Sequence, residues 1–467
     1  MKYCFLLLFT FISISIYCQY NIQFELDNYE NDTVIVGNYY ADKQLVHDTL
    51  YASKTGRFAL EGQDTLKSGV YFLLTLPSRK HIQFFVNGLD NEYKVKWDVS
   101  NPNNFKVEGS KDNEAFLKYV DFLGTQRPKA DALNSRIQFA DSTGVEDIKA
   151  EEELAEIEEK VTSYQLKTIE EMPNSITAKF IAAGRNPDMP EFEEGKDGQF
   201  AKYLYLKKHY FDNINLGDPT NLRTPYLHNR VKYYMDNLTP KDPDSTIVSI
   251  DYILDEMEPS PDTYKYYLSY FLNQYAQMKL VGFDKVYVHL VDNYYAIGKA
   301  DWISAENLAK LKEQANNLRN ILIGEKFPDV TTYKKDSTAV RIWDVESPYT
   351  VVVFWAHDCG HCTKSMPDII SFYDEFESQG VTLITICTKG GKKTKDCQDA
   401  IPKKKMEKFI NTFDEYQRYR RKIHIRSTPK IFILDENKEI LIKDIPSKEL
   451  KKIMPEIMKL NAPEKKS

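Results

Sequence analysis

Apolar and polar residues alternate over short stretches between residues 20 and 108, a pattern typical of half-buried β-strands. Turn pairs such as Thr55-Gly56 and Asn87-Gly88 separate these stretches. Several short strands at this spacing predict an all-β sandwich over residues 19–109. The predicted strands are Asn21–Leu26, Thr33–Tyr40, Arg57–Leu60, Val70–Leu76, His81–Val86, Glu92–Val99 and Phe105–Val107.

Between residues 110 and 322 the apolar residues recur at three- and four-residue steps instead, which predicts amphipathic helices. Ser110 is a suitable N-cap for a first helix that runs to Leu123. A glutamate-rich second helix is predicted from Val145 to Glu171. The density of tyrosine and phenylalanine predicts a thick aromatic core, with a ligand groove as the alternative. The pattern therefore predicts an α-helical middle domain.

From residue 323 onward short apolar runs alternate with amphipathic stretches, so strands and helices are predicted to alternate around a sheet. The predicted strands are Val351–Trp355, Val381–Cys387, Lys430–Leu434 and Glu439–Lys443, and the predicted helices include Lys404–Phe413 and Ser447–Leu460. The last two strands are expected to form a hairpin around Glu436-Asn437. This order predicts a C-terminal α/β domain over residues 323–467.

The first 18 residues have the pattern of a targeting segment. Lys2 is followed by an apolar run through Tyr17, which is too short for a comfortable transmembrane helix. The pattern predicts a secretory signal peptide over residues 1–18 and an exported protein. Lipidation of Cys18 would anchor the protein to a membrane, but the residues before it fit the bacterial lipoprotein pattern poorly. We therefore expect a location in the periplasm or cell envelope, with lipoprotein anchoring as the alternative.

Composition excludes some classes of protein. The 62 basic and 69 acidic residues give a formal net charge of −7. No basic patch interleaved with aromatic residues stands out, so nucleic acid is not an expected partner. Six cysteines are too few for disulfides to stabilise a chain of 467 residues, so its stability must come from packing.

The strongest chemical signal is the sequence Cys359-Gly360-His361-Cys362, which begins shortly after the predicted strand Val351–Trp355. Two cysteines three residues apart at a helix N-terminus lie on one side, close enough for a disulfide. The unpaired N–H groups and the positive dipole end there favour a thiolate on Cys359. His361 adds a cationic or hydrogen-bonding group that stabilises the thiolate further. The motif therefore predicts a dithiol switch.

Four features in register resemble the active site of TlpA-like thiol–disulfide oxidoreductases of the thioredoxin superfamily. Trp355-Ala356 precedes the cysteines, Cys359 and Cys362 are the redox pair, and Pro367 lies where this family kinks its helix. Thr428-Pro429 matches the family's cis-proline loop, and a cis bond before proline is uncommon enough to indicate a required geometry. Cys-Gly-His-Cys itself is the sequence found in protein disulfide isomerases.

The resemblance implies a thioredoxin fold for residues 323–467 and thiol–disulfide exchange without a cofactor or metal. Cys359 is then the nucleophile, and Cys362 resolves the mixed disulfide. Thr428, before Pro429, is expected to present its backbone to an incoming substrate chain. The residues expected to tune the redox pair are Trp355, Gly360 and His361. The implied partners are disulfide-containing envelope proteins and a membrane redox partner that recharges the dithiol.

Two positions depart from the family's pattern. Classical thioredoxins have a buried aspartate six residues before the first cysteine, where Val353 stands here. Many TlpA-like reductases that serve cytochrome c maturation have a glutamate three residues after the second cysteine, where Ser365 stands. Both losses argue against a dedicated cytochrome-maturation role and leave the proton acceptor of Cys362 unassigned. Asp358 is expected to be solvated, and His357 to lie on the surface.

Other interpretations of the motif have less support. A zinc site would need a second CxxC, and haem attachment would need a histidine where Thr363 stands. A structural disulfide or a relic site is a further alternative. The protein would then be a non-enzymatic envelope binding protein with the thioredoxin fold as a scaffold. The preferred hypothesis is an exported oxidoreductase that reduces or isomerises protein disulfides.

Cys387 and Cys397 flank a loop rich in lysine and glycine, residues 389–395. In an oxidising compartment they are candidates for a second disulfide that closes this loop. The alternative is a pair of inert thiols, with Cys387 buried at the end of a strand.

Overall fold

The computed structural model describes residues 19–90, 92–101, 105–423, 425 and 427–461. The predicted signal peptide and Cys18 lie outside these residues. Packing groups the described residues into two compact units, one of those up to 239 with 252–264, the other of 240–251 and those from 265 onward. The three predicted domains, with boundaries after residues 109 and 322, stay predictions. No described helix is both long enough and apolar enough to span a membrane.

The amino-terminal region contains two packed antiparallel-rich sheets. Their strands are β1 (Tyr20–Asp27), β2 (Thr33–Tyr40), β3 (Lys43–Tyr51), β4 (Arg57–Gly62), β5 (Gly69–Thr75), β6 (His81–Val86), β7 (Glu92–Asp98) and β8 (Phe105–Glu108). One sheet has the order β4-β1-β7-β8 and the other β3-β2-β5-β6. Inward side chains of both sheets, such as Phe24, Val36 and Trp97, share one core. The predicted sandwich is confirmed, although the pattern misses β3, an edge strand with mostly exposed side chains.

Helices follow the sandwich, as predicted. They are α1 (Lys111–Ser142), α2 (Ile148–Glu171), α3 (Ile176–Gly184), α4 (Lys196–His209), α5 (Tyr226–Tyr233), α6 (Pro243–Met257), α7 (Pro261–Ala276), α8 (Asp284–Leu290) and α9 (Ala305–Arg319). Ser110 caps α1, but the predicted end at Leu123 is wrong because the helix continues through Pro128. Packing against α2, where the Phe122 and Tyr164 rings stack with centroids 4.4 Å apart, offsets the helix-breaking residue.

Strands and helices alternate in the C-terminal region. The strands are β9 (Thr332–Tyr333), β10 (Ala339–Val340), β11 (Tyr349–Trp355), β12 (Val381–Cys387), β13 (Ile410–Phe413), β14 (Lys430–Leu434) and β15 (Ile440–Lys443). The helices are α10 (Gly360–Phe376), α11 (Thr394–Lys403), α12 (Arg418–Lys422) and α13 (Leu450–Leu460). The sheet order is β10-β9-β13-β12-β11-β14-β15, with β11 parallel to β12 and antiparallel to β14. This arrangement confirms the predicted α/β thioredoxin fold.

The predicted helix over residues 404–413 is wrong. The helix in this part of the chain is α11, which ends at Lys403, and residues 410–413 form β13 instead. β13 lies parallel to β12, so its backbone groups are paired inside the sheet. Sheet pairing therefore overrides a local pattern that also suits a helix.

Strand β11 is buried on both faces and organises the C-terminal core. Val351, Val353 and Trp355 contact the layer that contains α10 and α13. Val352 and Phe354 face the opposite layer, which includes Tyr419 of α12. Such a continuously apolar strand is what a sheet covered on both faces requires. Its C-terminal end is therefore held rigidly, and the candidate site begins there.

Lys443 of β15 links the sheet to the preceding helices within the second unit. Its side chain is 3% exposed and forms an ion pair with Asp284 of α8. It also donates to the backbone carbonyl of Ile321, just after α9. Burial lowers the pKa of Lys443 from its ordinary value, although the Asp284 carboxylate opposes the shift. The lysine thus ties α8 and the end of α9 to the edge of the sheet.

Candidate active site

Cys359 is the N-cap residue of α10. The chain leaves the sheet after Trp355, turns over four residues, of which Cys359 is the last, and enters the helix at Gly360. The Sγ atom of Cys359 accepts a hydrogen bond from the backbone N–H of Cys362 at 3.0 Å. A helix N-terminus presents N–H groups that lack partners within the helix, and here a sulfur accepts from one of them. The same hydrogen bond and the helix dipole would stabilise a thiolate on Cys359.

Cys359 and Cys362 form a disulfide, with Cα atoms 5.2 Å apart. Cys359 is partly exposed, whereas Cys362 is fully buried among apolar side chains of the core. Cys359 is therefore the member of the pair that is open to solvent, while Cys362 is enclosed by the core. This asymmetry is what an attacking and a resolving cysteine need.

The Thr428-Pro429 loop lies directly beside the sulfur pair. Its peptide bond is cis, and the carbonyl oxygen of Thr428 lies 3.2 Å from the Sγ atom of Cys359. The fold thus joins two segments that are 69 residues apart in sequence. The backbone of Thr428 therefore borders the Cys359 sulfur.

The three residues expected to tune the pair occupy different environments. His361 is exposed on the first turn of α10. Gly360 is also exposed, and a Cβ atom there would meet open space. Trp355 is fully buried, and its indole N–H has no hydrogen-bond partner among the described residues. Its carbonyl oxygen accepts from the backbone N–H of Thr388 at 2.9 Å, which fixes the end of β11.

The two residues before Cys359 have partners that sequence reasoning missed. Asp358, expected to be solvated, is 49% exposed and pairs with Lys389 at 2.8 Å. The hydrogen bond from Lys389 lowers the pKa of Asp358. His357, expected on the surface, is half-buried, and its Nε2 atom lies 3.8 Å from a carboxylate oxygen of Asp396. No sequence signal points to either contact, because both partners come from the segment after β12.

Replacing Lys389 with methionine should raise the pKa of Asp358 toward its ordinary value, since the lysine is the main cause of the lowered pKa. The pair's contribution to stability is full above the unfolded pKa of about 3.9 and is lost as the pH falls from there through the lowered pKa of the folded state. Carboxyl carbon shifts in an NMR titration measure this change. Lys392→Met, in the same loop but exposed, should leave the pKa unchanged; an equal effect of both variants would contradict the assigned pair.

Cys387 and Cys397 form a second disulfide, which closes a loop between β12 and α11. Both cysteines are fully buried. Cys387 pairs with Trp355 in the parallel ladder of β11 and β12, and Lys389 follows two residues later. The second disulfide therefore encloses the loop that carries the partner of Asp358.

Val353 and Ser365 occupy the two positions at which the sequence departs from the family pattern. Val353 is fully buried in β11, and Ser365 is half-buried on α10. Neither side chain carries a carboxylate that could accept the proton of Cys362. Among the described residues, no group of three or more histidine, cysteine, aspartate or glutamate side chains is placed to hold a metal ion.

The sheet order and the disulfide at the start of α10 define the C-terminal part of the chain as a thioredoxin-like domain. Residues 323–442 match the model of the AhpC/TSA family. Residues 20–116 and 146–320 match two models that are each described as a domain of unknown function, DUF4369 and DUF5106.

Known proteins resemble this chain over limited lengths. Sporulation thiol-disulfide oxidoreductase A from Bacillus subtilis (strain 168) is 29% identical over 91 residues, which are 20% of this chain and 55% of that protein. The chain thus matches about half the length of this curated relative. A thioredoxin-like protein from Bacteroides caccae is 16% identical with a TM-score of 0.44, covering 59% of this chain and 98% of the other. StoA from Bacillus subtilis is 25% identical with a TM-score of 0.23, and the match covers 27% of this chain and 95% of StoA.

Proposed function

We propose that the protein is an exported thiol–disulfide oxidoreductase that reduces or isomerises disulfides of other proteins. The observation that carries this proposal is the position of Cys359: the residue is partly exposed, its sulfur caps α10, and the sulfur lies 3.2 Å from the carbonyl oxygen of Thr428. An inert structural disulfide needs neither an exposed sulfur nor a neighbouring backbone edge. The alternative of a binding protein with an inert pair therefore has less support.

The reaction begins from the reduced pair. The Cys359 thiolate attacks one sulfur of a substrate disulfide, the substrate S–S bond breaks, and the leaving sulfur takes up a proton. A mixed disulfide now joins the substrate to Cys359. The thiolate of Cys362 attacks the Cys359 sulfur, which releases the second substrate thiol and leaves the Cys359–Cys362 disulfide. The substrate has gained two electrons, and a dithiol partner at the membrane must return two electrons to the pair.

Insulin reduction by dithiothreitol tests this activity. We expect the wild-type protein to accelerate the precipitation of the insulin B chain. The matched control is the protein from Gln19 onward, reduced and then treated briefly with iodoacetamide. This reagent should modify Cys359 selectively, because the other cysteines of that chain, Cys362, Cys387 and Cys397, are fully buried. Equal rates with intact and alkylated protein would contradict the proposed activity. Equilibration of the pair with glutathione gives the direction of electron flow. A potential of about −120 to −180 mV indicates an oxidant or isomerase, and one of about −270 mV a reductant.

The proposed location in the cell envelope depends on residues 1–18, whose apolar run suits a secretory signal peptide. Disulfide chemistry on substrate proteins also suits an oxidising compartment. The mass of the protein recovered from its native host tests this part of the proposal. A mature chain that begins at Gln19 or at Cys18 supports export, and a lipid adduct on Cys18 supports anchoring. A chain that retains residues 1–18 in the cytoplasm contradicts it.

A further inference from the structure

A cavity of about 360 Å³ lies beside the Thr428-Pro429 loop, within the second unit. Its walls come from the end of α7, the segment that leads to α8, the last turns of α9, and the edge of the sheet. Ser427, which directly precedes Thr428, lines it, and so does Lys430, which directly follows Pro429. Consecutive Cα atoms are ~3.8 Å apart, so the cavity begins one residue away from the backbone that touches the Cys359 sulfur.

The lining of this cavity combines apolar and neutral polar groups. Leu280 and Leu318 supply apolar surface, and Gln314 and Asn317, on one side of α9, supply side-chain amides. An amide offers both donors and an acceptor, which suits the N–H and C=O groups of a peptide backbone. A volume of this size is at the lower end of the ~300–1,000 Å³ typical of ligand pockets, so it suits a short stretch of chain rather than a folded domain.

Four of the five charged side chains on the wall form two ion pairs, and the fifth, Lys279, is exposed. Lys443 pairs with Asp284, and Lys430 pairs with Asp444 at 2.6 Å. A free anion would compete with these carboxylates for the two paired lysines, so the part of the wall that they form favours a ligand without net charge. The second oxygen of Asp284, Oδ1, is buried and has no hydrogen-bond partner among the described residues. An N–H donor from a bound peptide would satisfy this acceptor.

We propose that this cavity binds the peptide segment that flanks the reactive cysteine of a protein substrate, so that residues of α7, α8 and α9 select substrates for the dithiol. The inference rests on the proposed function and adds a substrate-binding role for helices outside the thioredoxin-like sheet. An extended chain advances ~3.3 Å per residue, so a segment bonded to Cys359 reaches the cavity within a few residues. A small disulfide has no such segment and reacts without the cavity.

Turnover of a large and a small substrate separates the cavity from the sulfur pair. We expect the double variant Gln314→Ala/Asn317→Ala to raise the KM for insulin on the order of ten-fold, since two hydrogen bonds are lost. Its kcat, and its turnover of hydroxyethyl disulfide, should match those of the wild-type protein. Asn307→Ala, which removes an exposed amide from the first turn of the same helix, is the matched control and should change neither substrate.

A second variant fills the cavity instead of removing its polar groups. Ala276 lines the cavity yet is exposed, so Ala276→Trp adds an indole without displacing buried side chains. We expect the same rise in the KM for insulin. An unchanged KM in both variants overturns the proposal. An equal loss on insulin and hydroxyethyl disulfide also overturns it, because the effect would then lie in the dithiol.

Binding measured without turnover keeps this proposal separate from the proposed function. A fluorescein-labelled insulin B chain with its cysteines replaced by serine is the probe. Wild type and Cys359→Ser should bind it equally, and Gln314→Ala/Asn317→Ala should bind it on the order of ten-fold more weakly. If the wild-type protein reduces neither disulfide, the proposed function fails, yet this pattern of binding would still support the cavity. Equal binding by all three proteins overturns the cavity proposal.

Discussion

Cys359→Ser is expected to abolish insulin reduction, lowering the catalysed rate on the order of 10³-fold or more, to that of dithiothreitol alone. The hydroxyl of serine stays protonated at neutral pH and forms no disulfide with a substrate. The substitution is small, and Cys359 lies at the partly exposed start of α10 rather than in the core. The far-ultraviolet circular dichroism spectrum should therefore match that of the wild-type protein, which separates a loss of chemistry from a loss of fold.

Cys362→Ser is the matched control for Cys359→Ser, because it removes the other sulfur of the same pair. This variant should also lose turnover, but it should accumulate a mixed disulfide between Cys359 and the substrate, because the resolving sulfur is missing. Intact mass before and after reduction measures the adduct. Adducts on Cys362 in the Cys359→Ser protein, with none on Cys359 in Cys362→Ser, would reverse the assigned roles. Full activity of Cys359→Ser would contradict the dithiol mechanism altogether.

The sulfur pair and the proline loop can be predicted from the sequence because each is marked by an uncommon combination of residues. Two cysteines three residues apart need only the local geometry of one helix turn, which the chain supplies at α10. Thr428-Pro429 can be matched through its position before a strand. The contact of Asp358 with Lys389 gives no such signal, because a charged residue beside a cysteine pairs with whichever side chain the fold brings to it.

Strand β13 shows where local pattern fails. Met406, Phe409, Ile410 and Phe413 recur at helical spacing, so the sequence indicates an amphipathic helix. In the structure Ile410–Phe413 pairs with β12, and Met406 and Phe409 are buried in the connection before it. Four apolar residues over eight positions suit either a helix or a short buried strand, and the choice depends on the neighbouring strand. The cavity could not be predicted from local pattern either, because its opposing walls come from segments that are not close in sequence.

Lys443→Met is expected to lower the free energy of unfolding of the second unit by about 3–5 kcal/mol. The substitution leaves the Asp284 carboxylate without its cation, in a position where it is only 18% exposed, and removes the donor to the carbonyl of Ile321. An unpaired charge held away from water is far more costly than a lost pair in solvent. Urea denaturation, with amide hydrogen exchange in β14 and β15 to assign the transition to this unit, measures the change.

Lys285→Met provides the matched control, because Lys285 is the residue after Asp284 and also pairs with an aspartate, Asp244. Both side chains of that pair are largely exposed, at 46% and 74%, so its loss should cost no more than about 1 kcal/mol. The double variant Lys443→Met/Asp284→Asn tests the cause directly. If the cost of Lys443→Met comes from the isolated carboxylate, removing that charge should restore much of the lost free energy. The double variant could instead be as unstable as Lys443→Met alone. In that case the apolar packing of the lysine stem, rather than its charge, holds α8 and the end of α9 to β15. The cavity wall then depends on this packing instead of on an ion pair.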